Sequence, residues 1–199
     1  SFGIVLKYCR IRNTEAGTPS TYGRKIAQPA VIPVALPNGV PEPVPLPANP
    51  FMFTLIAVSR LEREKCVEDI LAALALVRRK YPGVGLFIAG EGRKRAALAR
   101  RAEALGLSDA VVFLGNRADA WGLMQSAQAF VQASAYEGYG LTLLEAALAG
   151  TPIVSTDAGI IGDVLAPGED ALVSGVGDVD ALARNITRLI EKNELRESL

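Results

Sequence analysis

The stretch Phe53-Thr54-Leu55-Ile56-Ala57-Val58-Ser59-Arg60-Leu61-Glu62-Arg63-Glu64-Lys65 is followed, after Cys66, by Val67-Glu68-Asp69-Ile70-Leu71-Ala72-Ala73-Leu74-Ala75-Leu76-Val77-Arg78-Arg79-Lys80. A second short apolar run, Gly85-Leu86-Phe87-Ile88-Ala89, comes next. Phe53 to Val58 does not alternate apolar with polar residues, which suits a strand buried on both faces. In the middle segment Val67, Ile70, Leu71, Leu74 and Val77 recur at three- and four-residue steps, while Glu68, Asp69, Arg78, Arg79 and Lys80 fill other positions. That is the pattern of an amphipathic helix with acids in its first turn and bases in its last, as the macrodipole prefers. Strand, helix and strand in this order predict a parallel pair joined by a crossover helix.

Downstream, the same alternation continues. Further strands are expected at Val111 to Leu114, Ala129 to Gln132, Ile153 to Ser155 and Ala171 to Val173, each followed by a helical or turn segment. The fold class is therefore α/β, a Rossmann-like doubly wound parallel sheet. In such sheets ligands sit outside the carboxyl ends of the strands. That rule directs attention to Ser59 to Lys65, Gly90 to Gly92, Gly115 to Arg117, Ser134 to Gly140 and Thr156 to Gly159.

Upstream, the composition changes. Eight of the twelve prolines fall between Pro29 and Pro50, where they remove backbone donors and disfavour helix. Residues 1–50 thus read as an irregular N-terminal or interdomain segment and residues 51–199 as the folded domain. Within the former, Ala30-Val31-Ile32 and Val34-Ala35-Leu36 could make a short edge strand closed by Asn38-Gly39. Residues 1 to 24 carry no decisive pattern.

Bulk composition excludes several functions. The 21 basic residues equal the 21 acidic ones, so no global field draws the chain to nucleic acid or an anionic membrane. Histidine is absent, which removes a histidine base, triad or zinc ligand from this chain. Cys9 and Cys66 form neither a disulfide framework nor a metal cluster and favour a reducing, cytoplasmic location. No apolar run reaches the roughly 18 to 20 residues of a spanning helix.

The most informative chemistry lies in Glu137-Gly138-Tyr139-Gly140-Leu141-Thr142-Leu143-Leu144-Glu145-Ala146-Ala147-Leu148-Ala149-Gly150, a glycine-flexible loop running into an apolar helix. Glu145 shares a face with Leu141, Leu148 and Ala149, so it is expected to be partly buried and to need partners. Vicinal ribose hydroxyls would supply two donors to it, and Glu137 could accept from a nearby sugar. Gly138 and Gly140 permit close backbone approach, and the helix N-terminus attracts anions. A glutamate paired with a lysine or arginine elsewhere is the plainer alternative.

Other segments are weaker on their own. Arg60 and Lys65 could clamp a diphosphate, or Arg60, Arg63 and Lys65 could simply pair with Glu62, Glu64 and Glu68 on a solvated helix start. Gly90-Glu91-Gly92 opens like a dinucleotide fingerprint, but Arg95 stands at the third glycine position. Asp178-Val179-Asp180 imitates a metal-binding acidic pair, although helix N-capping accounts for it better. The basic residues Arg93, Lys94, Arg95, Arg100 and Arg101 have no aromatic companions in sequence, which leaves single-strand stacking unsupported.

Taken in order, these segments resemble the C-terminal domain of the retaining glycosyltransferase family 4, which has the GT-B fold. The resemblance runs from about Ile32 to Ile190. Pro37-Asn38-Gly39-Val40 matches the family's entry element, Ser59 to Lys65 its Gly/Ser-Arg-Leu-x-x-x-Lys-Gly element, and Glu137 through Glu145 its Glu-x7-Glu signature. Ala89-Gly90-Glu91-Gly92, Val112-Phe113-Leu114-Gly115 and Ala149-Gly150-Thr151-Pro152-Ile153-Val154 agree as well.

The resemblance implies a nucleoside-diphosphate sugar as donor, carried by UDP, GDP or ADP, with no further cofactor and no metal. Arg60 and Lys65 would neutralise the diphosphate, Glu137 would contact the sugar and Glu145 would hold the ribose. Gly138 to Thr142, including Tyr139 and the amides of Gly140, Leu141 and Thr142, would line the donor, and Gly90, Asn116 and Arg117 would border the base. An N-terminal acceptor-binding domain is the implied partner, without which the fragment is expected to bind but not to transfer efficiently. No nucleic acid or spanning segment is expected, and any membrane contact would be peripheral and made by the full-length protein. Two departures stand out: Cys66 replaces the usual glycine, and Ile160 and Asp163 replace a frequent glycine and glutamate. They motivate the alternative of a catalytically inactive binding or interaction module. A nicotinamide enzyme is a third alternative, disfavoured by the incomplete fingerprint.

Overall fold

Six strands form where the six short apolar runs stand: β1 (Phe53–Val58), β2 (Val84–Ala89), β3 (Val111–Gly115), β4 (Ala129–Val131), β5 (Ile153–Thr156) and β6 (Ala171–Ser174). They are seen in a computed structural model that describes residues 42–199. The edge strand at Ala30 to Leu36, the Pro37-Asn38-Gly39-Val40 element and Cys9 lie outside the described residues. All pairings are parallel, and the strand order is β3-β2-β1-β4-β5-β6. This is the doubly wound Rossmann order, which reverses direction between β1 and β4.

The helices are α1 (Val67–Arg78), α2 (Arg95–Ala104), α3 (Ala120–Gln125), α4 (Leu141–Leu148), α5 (Val179–Glu191) and α6 (Asn193–Ser198). Successive strand residues point to opposite faces, which divides the core in two. Leu55, Ala57, Leu86, Ile88 and Val131 pack with α1, α2 and α5, whereas Ile56, Phe87, Phe130 and Ile153 pack with α3 and α4. Each strand is therefore apolar on both sides, the reason its sequence shows no alternation.

Residues 42–50 form no helix or strand yet lie against the domain. The Val44 amide donates to the Gly122 carbonyl at 2.9 Å, and Leu46 is buried with the α3 and α4 core. Asp178 caps α5, its Oδ1 accepting from the Ala181 amide at 2.8 Å. The Asp178-Val179-Asp180 triplet thus serves a helix start, and no group of three potential metal ligands occurs among the described residues.

Candidate functional site

The loops after β1 and β2 are locked together by backbone bonds. The Leu61 amide donates to the Glu91 carbonyl at 2.8 Å, and the Lys94 amide donates to the Leu61 carbonyl at 2.9 Å. Gly90, at φ 138°, permits this approach, because a Cβ there would stand 1.9 Å from the Ser59 carbonyl oxygen. Gly90 is thus demanded first by the protein's own backbone. Two ion pairs reinforce the same junction: Arg93 with Glu62 at 3.1 Å and Lys94 with Glu68 at 3.0 Å.

The chain then tightens into a 3₁₀ turn at Arg63–Lys65 and leaves it through Cys66, whose φ of 46° and ψ of 41° are left-handed. A residue with a Cβ is strained there, whereas glycine is not. The turn is tied to the loop after β4 by the Ala135 amide, which donates to the Glu64 carbonyl at 2.9 Å. Burial pushes the Cys66 thiol above its usual pKa, so it stays protonated and unreactive at neutral pH.

This tie delivers Lys65 to Glu137. Lys65 Nζ lies 2.7 Å from Glu137 Oε1, with side-chain exposures of 12% and 9%. The same carboxylate oxygen accepts from Ser134 Oγ at 2.7 Å. Arg60 behaves differently: it meets Glu64 at 3.2 Å, but its side chain is 73% exposed. Of the two pairing patterns open to the sequence, the structure contains parts of both. Arg60 pairs with a neighbouring acid, whereas Lys65 pairs across the site and Glu62 and Glu68 are taken by the next loop.

Gly140, at φ 79°, turns the post-β4 loop into α4. No side chain caps α4, so the amides of Leu141 and Thr142 keep the unbonded N–H groups of a helix start. Thr142 Oγ1 is 3.2 Å from Gln132 Oε1. One turn further along α4 stands Glu145, half-buried, with its pKa raised by desolvation. No ion pair or side-chain hydrogen bond engages it among the described residues. Tyr139 and Leu141 are exposed. Gly138 is exposed, and a Cβ there would meet nothing within 4 Å.

A cleft of about 600 Å³ opens on this edge of the sheet, lined by Val58, Ser59, Arg60, Ala89, Gly90, Asn116, Arg117, Ala118 and Thr142. Arg117 enters it braced by two hydrogen bonds to Asp119, at 2.7 and 2.6 Å. Those bonds hold the Asp119 carboxyl below the usual carboxylate range. The structure therefore gathers Arg60, Gly90, Asn116, Arg117 and Thr142 on one cleft, whose lining does not include the Lys65–Glu137 pair. Of the two departing positions after β5, Ile160 is a core residue and Asp163 is exposed.

Sequence reasoning did not foresee the roles of Ser134 and Gln132. Ser134 belongs to the post-strand segment Ser134 to Gly140, and Gln132 is a polar residue directly after an apolar strand. Phe113 was also missed as a companion of the basic cluster, since Arg95 lies 3.7 Å over its ring. That pairing joins α2 to β3 and is invisible to local spacing.

A parallel sheet in this strand order, with cations and free helix amides on its carboxyl edge, defines a Rossmann-like doubly wound domain. The chain belongs to the glycosyl transferases group 1 family, whose model matches residues 46–199. Glycogen synthase of Mycobacterium tuberculosis is 37% identical over 139 residues, covering 69% of this chain and 34% of that relative. HepE of Anabaena, solved in complex with UDP-glucose, superposes with a TM-score of 0.68 at 29% identity, over 73% of this chain and 41% of that one. The C-terminal domain of LpcC from Francisella tularensis shares the fold, with a TM-score of 0.69 at 23% identity over 75% of this chain and 80% of that one. The chain thus spans about a third of the length of the glycogen synthase relative.

Proposed function

We propose that this chain is the donor-binding domain of a retaining glycosyltransferase that moves a hexose from a nucleoside-diphosphate sugar to a glycan, lipid or other acceptor. The observation that carries the reading is Glu145, a desolvated carboxylate without a side-chain partner among the described residues, one turn along α4 from Thr142, which lines the cleft. Two vicinal ribose hydroxyls supply the donors it lacks. The diphosphate then lies against the Leu141 and Thr142 amides with Arg60 and Lys65 alongside, and Gly90, Asn116 and Arg117 border the base. Glu137 faces the sugar, oriented by Ser134 and Lys65.

Bond breaking leaves negative charge on the departing nucleoside diphosphate. Fixed amides and cations stabilise that charge without reorganising. An acceptor-binding domain completes the enzyme, and this part alone holds the donor. UDP is the first carrier to test, because HepE was solved with a UDP sugar. No described helix is long and apolar enough to cross a membrane.

Calorimetric titration with UDP, GDP, ADP and NAD checks the reading. One nucleoside diphosphate is expected to bind selectively, and Glu145→Ala and Arg60→Ala are each expected to weaken it by about tenfold. Absence of binding by folded protein, or preference for NAD, would overturn the proposal. A binding module without catalysis is the second reading, favoured by the left-handed Cys66 beside Lys65. Nucleotide binding with no turnover by the full-length enzyme, and turnover restored by Cys66→Gly, would support it.

A further inference from the structure

Gln132 directly follows β4, 4% exposed, and its Nε2 has no hydrogen-bond partner among the described residues. A buried amide donor without an acceptor is costly, and native proteins rarely leave one. Among the described residues its side chain makes one hydrogen-bond contact, with Thr142 Oγ1, 3.2 Å from the amide oxygen. That separation is long for a hydroxyl donating to an oxygen and ordinary for an N–H donating to one. Turning the planar amide over keeps its shape and lets Nε2–H donate to Thr142 Oγ1, leaving an unpaired carbonyl, which is tolerated better than an unpaired donor.

We propose that Gln132 is a positioning residue that holds Thr142 as a hydrogen-bond donor to the diphosphate of the nucleotide sugar. With one lone pair of Oγ1 occupied by the amide, the hydroxyl proton is free to turn into the cleft that Thr142 lines. There it joins the Leu141 and Thr142 backbone amides. A diphosphate presents acceptors only, so a hydroxyl committed to donating inward would be wasted on it, whereas one backed by an amide N–H is matched to it. The inference rests on the donor-site reading above and adds a side chain to a set otherwise made of backbone amides and cations.

A double-mutant cycle tests it on the whole chain, using whichever of UDP, GDP and ADP binds most tightly, with the matching nucleoside as control. Thr142→Val should weaken the diphosphate by about tenfold, while Thr142→Ser keeps most of the affinity. Gln132→Leu should weaken it several-fold, and Gln132→Glu, which can only accept from the hydroxyl, more than that. In the Thr142→Val background Gln132→Leu should have no further effect, because a residue acting only through Thr142 has nothing left to position. Affinity for the nucleoside should not move in any variant. Additive losses, equal losses for the nucleoside, or an unchanged Thr142→Val would overturn the inference while leaving the donor site standing. If none of the three diphosphates binds the parent, the donor-site reading falls and takes this one with it. Melting temperatures identify any variant that fails to fold, and the Thr142→Val and Thr142→Ser pair decides the matter should Gln132→Leu be one.

Discussion

Arg60 and Lys65 stand on the same loop and carry the same charge, and each meets a glutamate, but their surroundings differ. Arg60 is largely in water, where an ion pair contributes about 0 to 1 kcal/mol because solvent screens it. Its pairing with Glu64 is easily given up to a phosphate. Lys65 and Glu137 are each about nine-tenths covered and share a 2.7 Å contact. Removing one partner there strands the other charge. On the proposed reading the first cation is free to turn to a ligand, whereas the second, even with a diphosphate alongside, stays tied to Glu137.

The largest effect should come from breaking the covered pair. Lys65→Met is expected to destabilise the fold by about 3 kcal/mol, since it leaves Glu137 desolvated with Ser134 as its remaining side-chain hydrogen-bond partner among the described residues. Adding Glu137→Gln to that variant should recover more than half of the loss. Urea unfolding of the two variants measures both values. If the double variant is no more stable than Lys65→Met alone, the cost lies in packing, and the contrast with Arg60 is not electrostatic.

Arg60→Met should leave the midpoint of the same unfolding curve within about 0.5 kcal/mol of the parent. Nucleoside diphosphate affinity should fall about tenfold in low salt, and by less as salt screens the remaining attraction. A loss of stability as large as that of Lys65→Met would erase the distinction between the two cations.

Cys66 sits between Lys65 and α1 and sharpens the comparison, because it holds the turn that aims Lys65. Glycine avoids the left-handed strain at φ 46°, so Cys66→Gly should stabilise the chain by about 1 kcal/mol. The gain would be partly offset by the greater freedom of glycine in the unfolded chain. Thermal unfolding reads the sign, and a loss would mean that the thiol's packing outweighs the backbone.

The strand positions were legible because a parallel sheet covered on both faces requires short, continuous apolar runs, and Phe53 to Val58 and Gly85 to Ala89 are of that kind. The cleft's cations were legible as types placed just after strands. Their division of labour was not, since it depends on the Ala135 to Glu64 backbone bond, which joins loops distant in sequence. Gln132 was hidden for a related reason: strand periodicity says which face a side chain takes, and only the arrival of α4 says that Thr142 is there to meet it. Arg95 over Phe113 is likewise a contact between elements.

Glu145 provides the smallest and most discriminating effect. Its carboxyl is desolvated, so the folded chain binds a proton more tightly than the unfolded chain, in which the pKa is near 4.5. The favourable contribution of this group is therefore fully present at low pH and is lost as pH rises from the ordinary value through the raised one. Glu145→Gln mimics the protonated form. It should match the parent at acid pH and become the more stable protein toward neutrality, by on the order of 0.5 kcal/mol. A saturating nucleoside diphosphate should reverse the sign, because ribose donors favour the ionised carboxylate that the variant lacks. Unfolding followed across pH with and without ligand separates the two cases. A parent that gains stability over the variant as pH rises, with no ligand present, would show that Glu145 already has a partner, and the main support for a ribose site on α4 would be gone.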